Sequence, residues 1–145
     1  MKALKLDMEN LEGDFFDGSR LLGIVAPLKG YRFCWLLNRQ MRLDFRITNQ
    51  IEIPMMRKKR QYFFTVYECP EQNKTLVHYL YSNQNDGEFL LPEFRHLDFF
   101  WLLKGDCVAD EYLSSLADSI RSISGVQLVT ELTHTKIKHR EHLIF

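Results

Sequence analysis

The stretch Leu91-Pro92-Glu93-Phe94-Arg95-His96-Leu97-Asp98-Phe99-Phe100-Trp101-Leu102-Leu103-Lys104-Gly105 is the densest apolar and aromatic run in this 145-residue chain, and its reading decides the fold. As a helix it has Pro92 at the first position, Glu93 beside the positive end of the dipole, Lys104 in the last turn and Gly105 just beyond. As a strand it places Leu97, Phe99, Trp101 and Leu103 on one face and Phe100 and Leu102 on the other, which is the composition of an interior strand buried on both sides. The following residues favour the strand, from about Leu97 to Lys104. Leu113, Leu116, Ala117, Ile120 and Ile123 form an apolar helical stripe, with Asp106 or Asp110 available as a cap and Ser124-Gly125 as the stop. Val126 to Leu132 then alternates as a strand. Residues 97–132 therefore read as a β-α-β unit.

The order Leu91-Pro92-Glu93, three residues, Leu97-Asp98-Phe99 resembles the signature of the IPExxxVDY family of uncharacterised bacterial proteins. Tyr31, Leu37 and Asn38 are similar to the family's N-terminal half, and Lys136-Ile137-Lys138 with Leu143-Ile144-Phe145 to its end, so the likeness covers nearly the full length. The family has no established activity, and the resemblance implies no mechanism. Leu91 for Ile and Leu97 for Val nearly conserve volume, but Phe99 for Tyr removes a hydroxyl that could have donated a proton. Leu91, Pro92, Glu93, Leu97, Asp98 and Phe99 are thus the signature positions, and packing is the simpler account of them. The Gly125-Val126 entry into the last strand is similar to the half-repeat of ferredoxin-like and ACT-type regulatory domains.

Working outward, Lys2 to Met8 alternates charged and apolar residues as a first strand, and Leu21 to Ala26 is a second, buried one ended by Pro27. Leu28, Tyr31, Cys34, Trp35 and Asn38 fall at helical spacing, although Tyr31 to Leu37 suits a buried aromatic strand equally. The resemblance at Tyr31, Leu37 and Asn38 favours a helix over Leu28 to Met41, with Asn38 near its C-terminal cap. Leu43, Phe45 and Ile47 alternate with polar residues, and after Asn49-Gln50 come Ile51 and Ile53 before Pro54. Arg57-Lys58-Lys59-Arg60 is a concentrated basic run, read as a solvated loop between strands more readily than as an anion patch. Gln61 to Cys69 and Leu76 to Asn83 form a hairpin across Pro70 to Lys74. Residues 133–145 read as a polar tail that ends in three large apolar residues, which should dock on something.

Lys plus Arg and Asp plus Glu are each 19, so no global field draws the protein to nucleic acid or anionic lipid. Hydrophobic residues at 46% and charged residues at 26% are those of a folded globular domain. No apolar run approaches the length that spans a bilayer, which predicts a cytoplasmic protein with no membrane partner. Cys34, Cys69 and Cys107 lack any Cys-x-x-Cys pairing and read as reduced thiols.

Glu93 and Asp98 are the candidate carboxylate pair, but five residues apart they face opposite sides of a strand and diverge by about 140° on a helix. Pairing with Arg95, Lys104 or backbone amides is the simpler expectation. His134, His139 and His142 are close enough in sequence to suggest a metal, yet their spacing does not put all three on one helical face, and a solvated tail is the preferred reading. No catalytic, cofactor or metal residue is assigned, and no cofactor is expected. The chain is expected to be one α+β domain over residues 1–145. Its mainly antiparallel sheet of about seven strands would pack with two helices in the order ββα-βββ-βαβ, the C-terminal part ferredoxin- or ACT-like. The expected function is non-enzymatic, through an unknown protein partner or homo-oligomer. An ACT-like small-molecule sensor is the alternative, and an enzyme using Glu93 and Asp98 comes third.

Overall fold

The computed structural model describes residues 15–72, 74–105, 107–133 and 137–145. The strand expected over Lys2 to Met8, the Asp106 cap, His134 and Lys136 lie outside them. The chain is a single open-sheet α+β domain. Its elements are β1 (Arg20–Val25), α1 (Gly30–Met41), β2 (Arg46–Arg57), β3 (Arg60–Pro70), β4 (Val77–Ser82), β5 (Gln84–Asn85), β6 (Glu88–Phe89), β7 (Phe99–Lys104), α2 (Asp110–Arg121) and β8 (Leu128–Leu132). Single 3₁₀ turns occupy Pro92–Phe94 and Arg140–Leu143.

Among the described residues six strands form one sheet in the order β2-β3-β4-β7-β1-β8, and β5 pairs with β6 in a short separate ribbon. All the pairings are antiparallel. Since β7 and β8 each run antiparallel to β1, they are parallel to one another with β1 between them. The β-α-β unit expected over 97–132 is therefore split by a strand from the other end of the chain, in the ferredoxin-like manner. The strand expected from Leu97 begins at Phe99, and all its residues but Lys104 are buried.

Helices cover one sheet face. Phe33, Cys34 and Leu37 of α1 and Leu113, Leu116, Ala117 and Ile120 of α2 pack on Leu22, Ile24, Leu80, Phe99, Trp101 and Leu103. The opposite face, with Leu21, Phe64, Val66, Tyr81, Phe100 and Leu102, is covered by connecting and terminal segments carrying Phe16, Leu90, Leu91, Leu97, Ile137 and Leu143, with little regular structure. Burying each such side chain contributes about 1.5–3 kcal/mol, which is how a segment without regular structure is held on the sheet.

Several local expectations are corrected. Asn49-Gln50 does not end a strand, because β2 runs through it with a register shift between Ile47 and Glu52. Pro54 is accommodated because β2 lies at the sheet edge, where a missing N–H breaks no ladder. The left-handed cap of α1 is Arg42, whereas Asn38 accepts from the Phe45 amide and donates to the Phe45 carbonyl. Helix α2 starts after Ala109 without a side-chain cap, and Asp110 instead pairs with Arg20, which also grips Glu131 of β8. Nor are residues 137–145 a solvated tail: Ile137 and Leu143 are buried, and the Leu143 carbonyl accepts from the Tyr81 hydroxyl at 2.8 Å. The apolar terminus docks on its own sheet, with the Phe145 ring against Phe15 and Tyr79.

Candidate functional site

The segment 90–98 is assembled around Asn83, a fully buried polar side chain at the end of β4. Its Nδ2 donates to the carbonyls of Phe94 (2.9 Å) and Leu97 (2.8 Å), and its Oδ1 accepts from the Leu91 amide (2.9 Å). The Asn83 backbone donates to the Asp98 carbonyl and accepts from Leu90. An extended segment closed into a loop leaves amides and carbonyls that water cannot reach, and one carboxamide satisfies three of them. That lets Leu91 and Leu97 insert their side chains into the second core layer.

Glu93 and Asp98 are turned to different partners. Glu93 Oε2 accepts from the backbone amide of His139 at 3.0 Å, in the segment that covers the non-helical sheet face. Asp98 Oδ2 accepts from the Ala26 amide at 2.8 Å, at the exit of β1. Asp98 also lines a cleft with Leu28, Lys29 and Gly30 at the start of α1, to which Glu93 contributes nothing. Each carboxylate thus takes a backbone amide, as the duller expectation had it, and they share no cleft. Pro92 opens the 3₁₀ turn, and Phe99 packs on Phe33 with ring centroids 4.8 Å apart.

A second polar chain runs through the helical layer. Trp101 Nε1 donates to His78 Nδ1 at 2.9 Å, and His78 Nε2 lies 2.8 Å from Glu71 Oε1, which also accepts from the Tyr112 hydroxyl. Indole nitrogen can only donate, so His78 Nδ1 must be the acceptor, and the proton sits on Nε2 facing Glu71. Burial lowers the pKa of His78, against the raising effect of Glu71. Burial alone would raise Glu71, but bonds from Tyr112 and His78, with Lys74 nearby, hold its carboxyl below the ordinary value. Burial, then the bond to Glu71, pushes the Tyr112 phenol up. Tyr112 and Lys74 border a groove of about 640 Å³ shared with Leu76, Cys107, Val108 and Ala109. Within the chain the ring nitrogens, the indole N–H and the phenol are all engaged, so it fastens β4, β7, α2 and the turn after β3 together. Sequence reading missed both this chain and Asn83. The available signals were a His inside the largely apolar strand Val77-His78-Tyr79-Leu80-Tyr81-Ser82 and an Asn immediately following it.

At the surface, Lys58 and Lys59 of the basic run form the tip of the β2–β3 hairpin, with Arg57 and Arg60 paired across it. Cys34 and Cys69 are buried, Cys107 is exposed, and all three are free thiols, with burial raising Cys34 to about 12. Helix α1 exposes Tyr31 (69%) and Trp35 (48%), one turn apart. The guanidinium groups of Arg32 and Arg39 lie 5.3 and 5.1 Å from the Trp35 ring centroid. Residues 28–43 carry Lys29, Arg32, Arg39 and Arg42 and no acidic side chain. Helix α2 has the opposite character: Asp110, Glu111 and Asp118 line a shallow groove with Ser114, Ser115, Ser119 and Ser122. Among the described residues no helix is long and apolar enough to cross a membrane.

No protein-family model matches the chain, and no curated protein or solved structure does so.

Proposed function

We propose that the protein works by protein binding, in the form of self-association, with the basic aromatic face of α1 on one copy meeting the acidic face of α2 on another. The observation that carries this reading is the exposed Tyr31–Trp35 pair, with Arg32 and Arg39 already stacked over the Trp35 ring. Trp, Tyr and Arg are the residues that dominate interface energetics, and guanidinium groups held on a ring lose little freedom when they pair with a carboxylate. The docked apolar segment 143–145 no longer argues for a partner, because its own sheet receives it. A head-to-tail contact of this kind weakens with salt, since its charges are exposed.

Sedimentation velocity over a concentration series at low and high salt tests this. Association at low salt that is lost with Trp35→Ala or Arg39→Glu, and regained on mixing Arg39→Glu with Asp118→Arg, is the expected result. A monomer at every concentration and salt overturns it, as does assembly indifferent to Trp35→Ala and Arg39→Glu. If the monomer instead shifts with an oligonucleotide, α1 is a nucleic-acid face.

A second reading, small-molecule sensing, is favoured by the cleft of about 460 Å³ lined by Lys29, Gly30, Ser82, Asn85 and Asp98. Its test is a thermal-shift screen with amino acids and nucleotides, because a saturating ligand stabilises the folded chain by several kcal/mol. A screen without any shift removes this reading.

A further inference from the structure

We propose that His139, Glu141 and His142 form a binding site for a divalent transition ion of the zinc type, which orders the turn they share. The three residues fall on a single turn, and one ligand atom from each lies within 4.8 Å of the others. His139 Nδ1 is 3.6 Å and His142 Nε2 is 3.8 Å from Glu141 Oε1. With metal–ligand bonds of about 2.0–2.2 Å, tetrahedral donors stand roughly 3.3 Å apart. The His139 and His142 rings are stacked with centroids 5.0 Å apart, so the exposed His139 ring has to turn out of the stack for its nitrogen to share the ion.

Two further features favour an ion over a chance cluster. His142 Nδ1 lies 2.8 Å from the Leu90 carbonyl, which can only accept, so the proton sits on Nδ1 and the Nε2 lone pair faces Glu141. A backbone carbonyl that fixes the second nitrogen of an imidazole is the usual support of a histidine ligand. In addition, Glu93 Oε1 is buried and has no hydrogen-bond partner among the described residues, while its other oxygen accepts from the His139 amide. A carboxylate left under-satisfied beside the turn is offset by a cation there. Two imidazoles and one carboxylate suit zinc, and the fourth position is left to solvent. Sequence reading had set a metal aside, because it asked three histidines to share a face and did not count Glu141.

The test uses the full-length chain without a histidine tag, titrated with Zn(II) by calorimetry and with Co(II) by visible absorption. One ion per chain is expected, with a low-symmetry Co(II) spectrum and a melting temperature that rises with Zn(II) and falls with chelator. His139→Ala, at an exposed position, should weaken binding at least ~10-fold, and Glu141→Gln should weaken it as well. His96→Ala should leave it unchanged. Substoichiometric binding, or equal affinity in a His139→Ala/Glu141→Gln double variant, overturns the proposal.

Discussion

Trp101 and His78 share a 2.9 Å hydrogen bond in the interior, and it fixes the imidazole as a neutral acceptor at Nδ1. Protonating that ring would set an N–H against the indole N–H. The unfolded histidine titrates near 6.5, and burial first of all lowers the folded value. Below about pH 6.5 the unfolded chain therefore binds the extra proton first. The stability contributed by the neutral ring is complete above that pH and declines as pH falls towards the folded pKa. Urea unfolding at pH 7.5 and 5.5 should show this loss for the native chain, with a smaller difference for His78→Gln. An NMR titration in which His78 protonates with a midpoint at or above 6.5 would contradict the assignment.

Asn83→Ala removes three hydrogen bonds to buried backbone groups, and the expected cost is about 3–5 kcal/mol. Asn83→Asp should cost more, because carboxylate oxygen would face the carbonyls of Phe94 and Leu97. Denaturant midpoints measure both. A loss under about 1 kcal/mol for the alanine variant would mean that apolar contacts alone hold the 90–97 segment.

For Asp98, the structure separates acceptance of a hydrogen bond from charge. Asp98→Asn keeps an oxygen for the Ala26 amide and should be nearly neutral, whereas Asp98→Ala leaves that amide unpaired and should cost about 1–2 kcal/mol. Equal losses in the two variants would show that the charge itself matters.

Lys58 and Lys59 both adopt left-handed backbone, with φ of 52° and 63°. Two-residue hairpins of this kind favour Asn-Gly, and an ordinary L-residue there costs roughly 1–2 kcal/mol. The double substitution Lys58→Asn, Lys59→Gly should raise stability by about 1 kcal/mol. Thermal unfolding gives the answer, and no gain would indicate that the lysines are held by contacts that offset the strain.

Strand and helix periods were legible where one face meets a core, as in α2. Strand β7 needed its aromatic composition and the helix that follows, the β3–β4 hairpin its aromatic flanks, and the helix over 30–41 could not be told from a strand by spacing alone. Asn49-Gln50 misled because turn residues also occur at a sheet edge, where a bulge absorbs them. The role of Asn83 could not be read, since its partners are backbone groups of a loop eight to fourteen residues away and carry no side-chain signal. The divergence of Glu93 and Asp98 was legible from their spacing, but backbone amides stood among the expected partners only beside Arg95 and Lys104, and neither amide could be named. The tail misled for a related reason: its buried Ile137 and Leu143 are spaced by a turn and not by a regular period.

Strand β1 has a kinetic consequence. Leu21 pairs with Leu102 on one side and Leu132 on the other, so both neighbours of this strand come from the far end of the sequence. Loop closure over such separations is slow, while β2, β3 and β4 need only short turns. The meander should therefore form first, leaving Leu21 to Ile24 apolar and unpaired until β7 and β8 arrive. In pulse-labelled hydrogen exchange, amides of β3 and β4 should gain protection before those of β1, and simultaneous protection would refute that order. During that interval β1 offers two open edges, so refolding yield should fall as protein concentration rises.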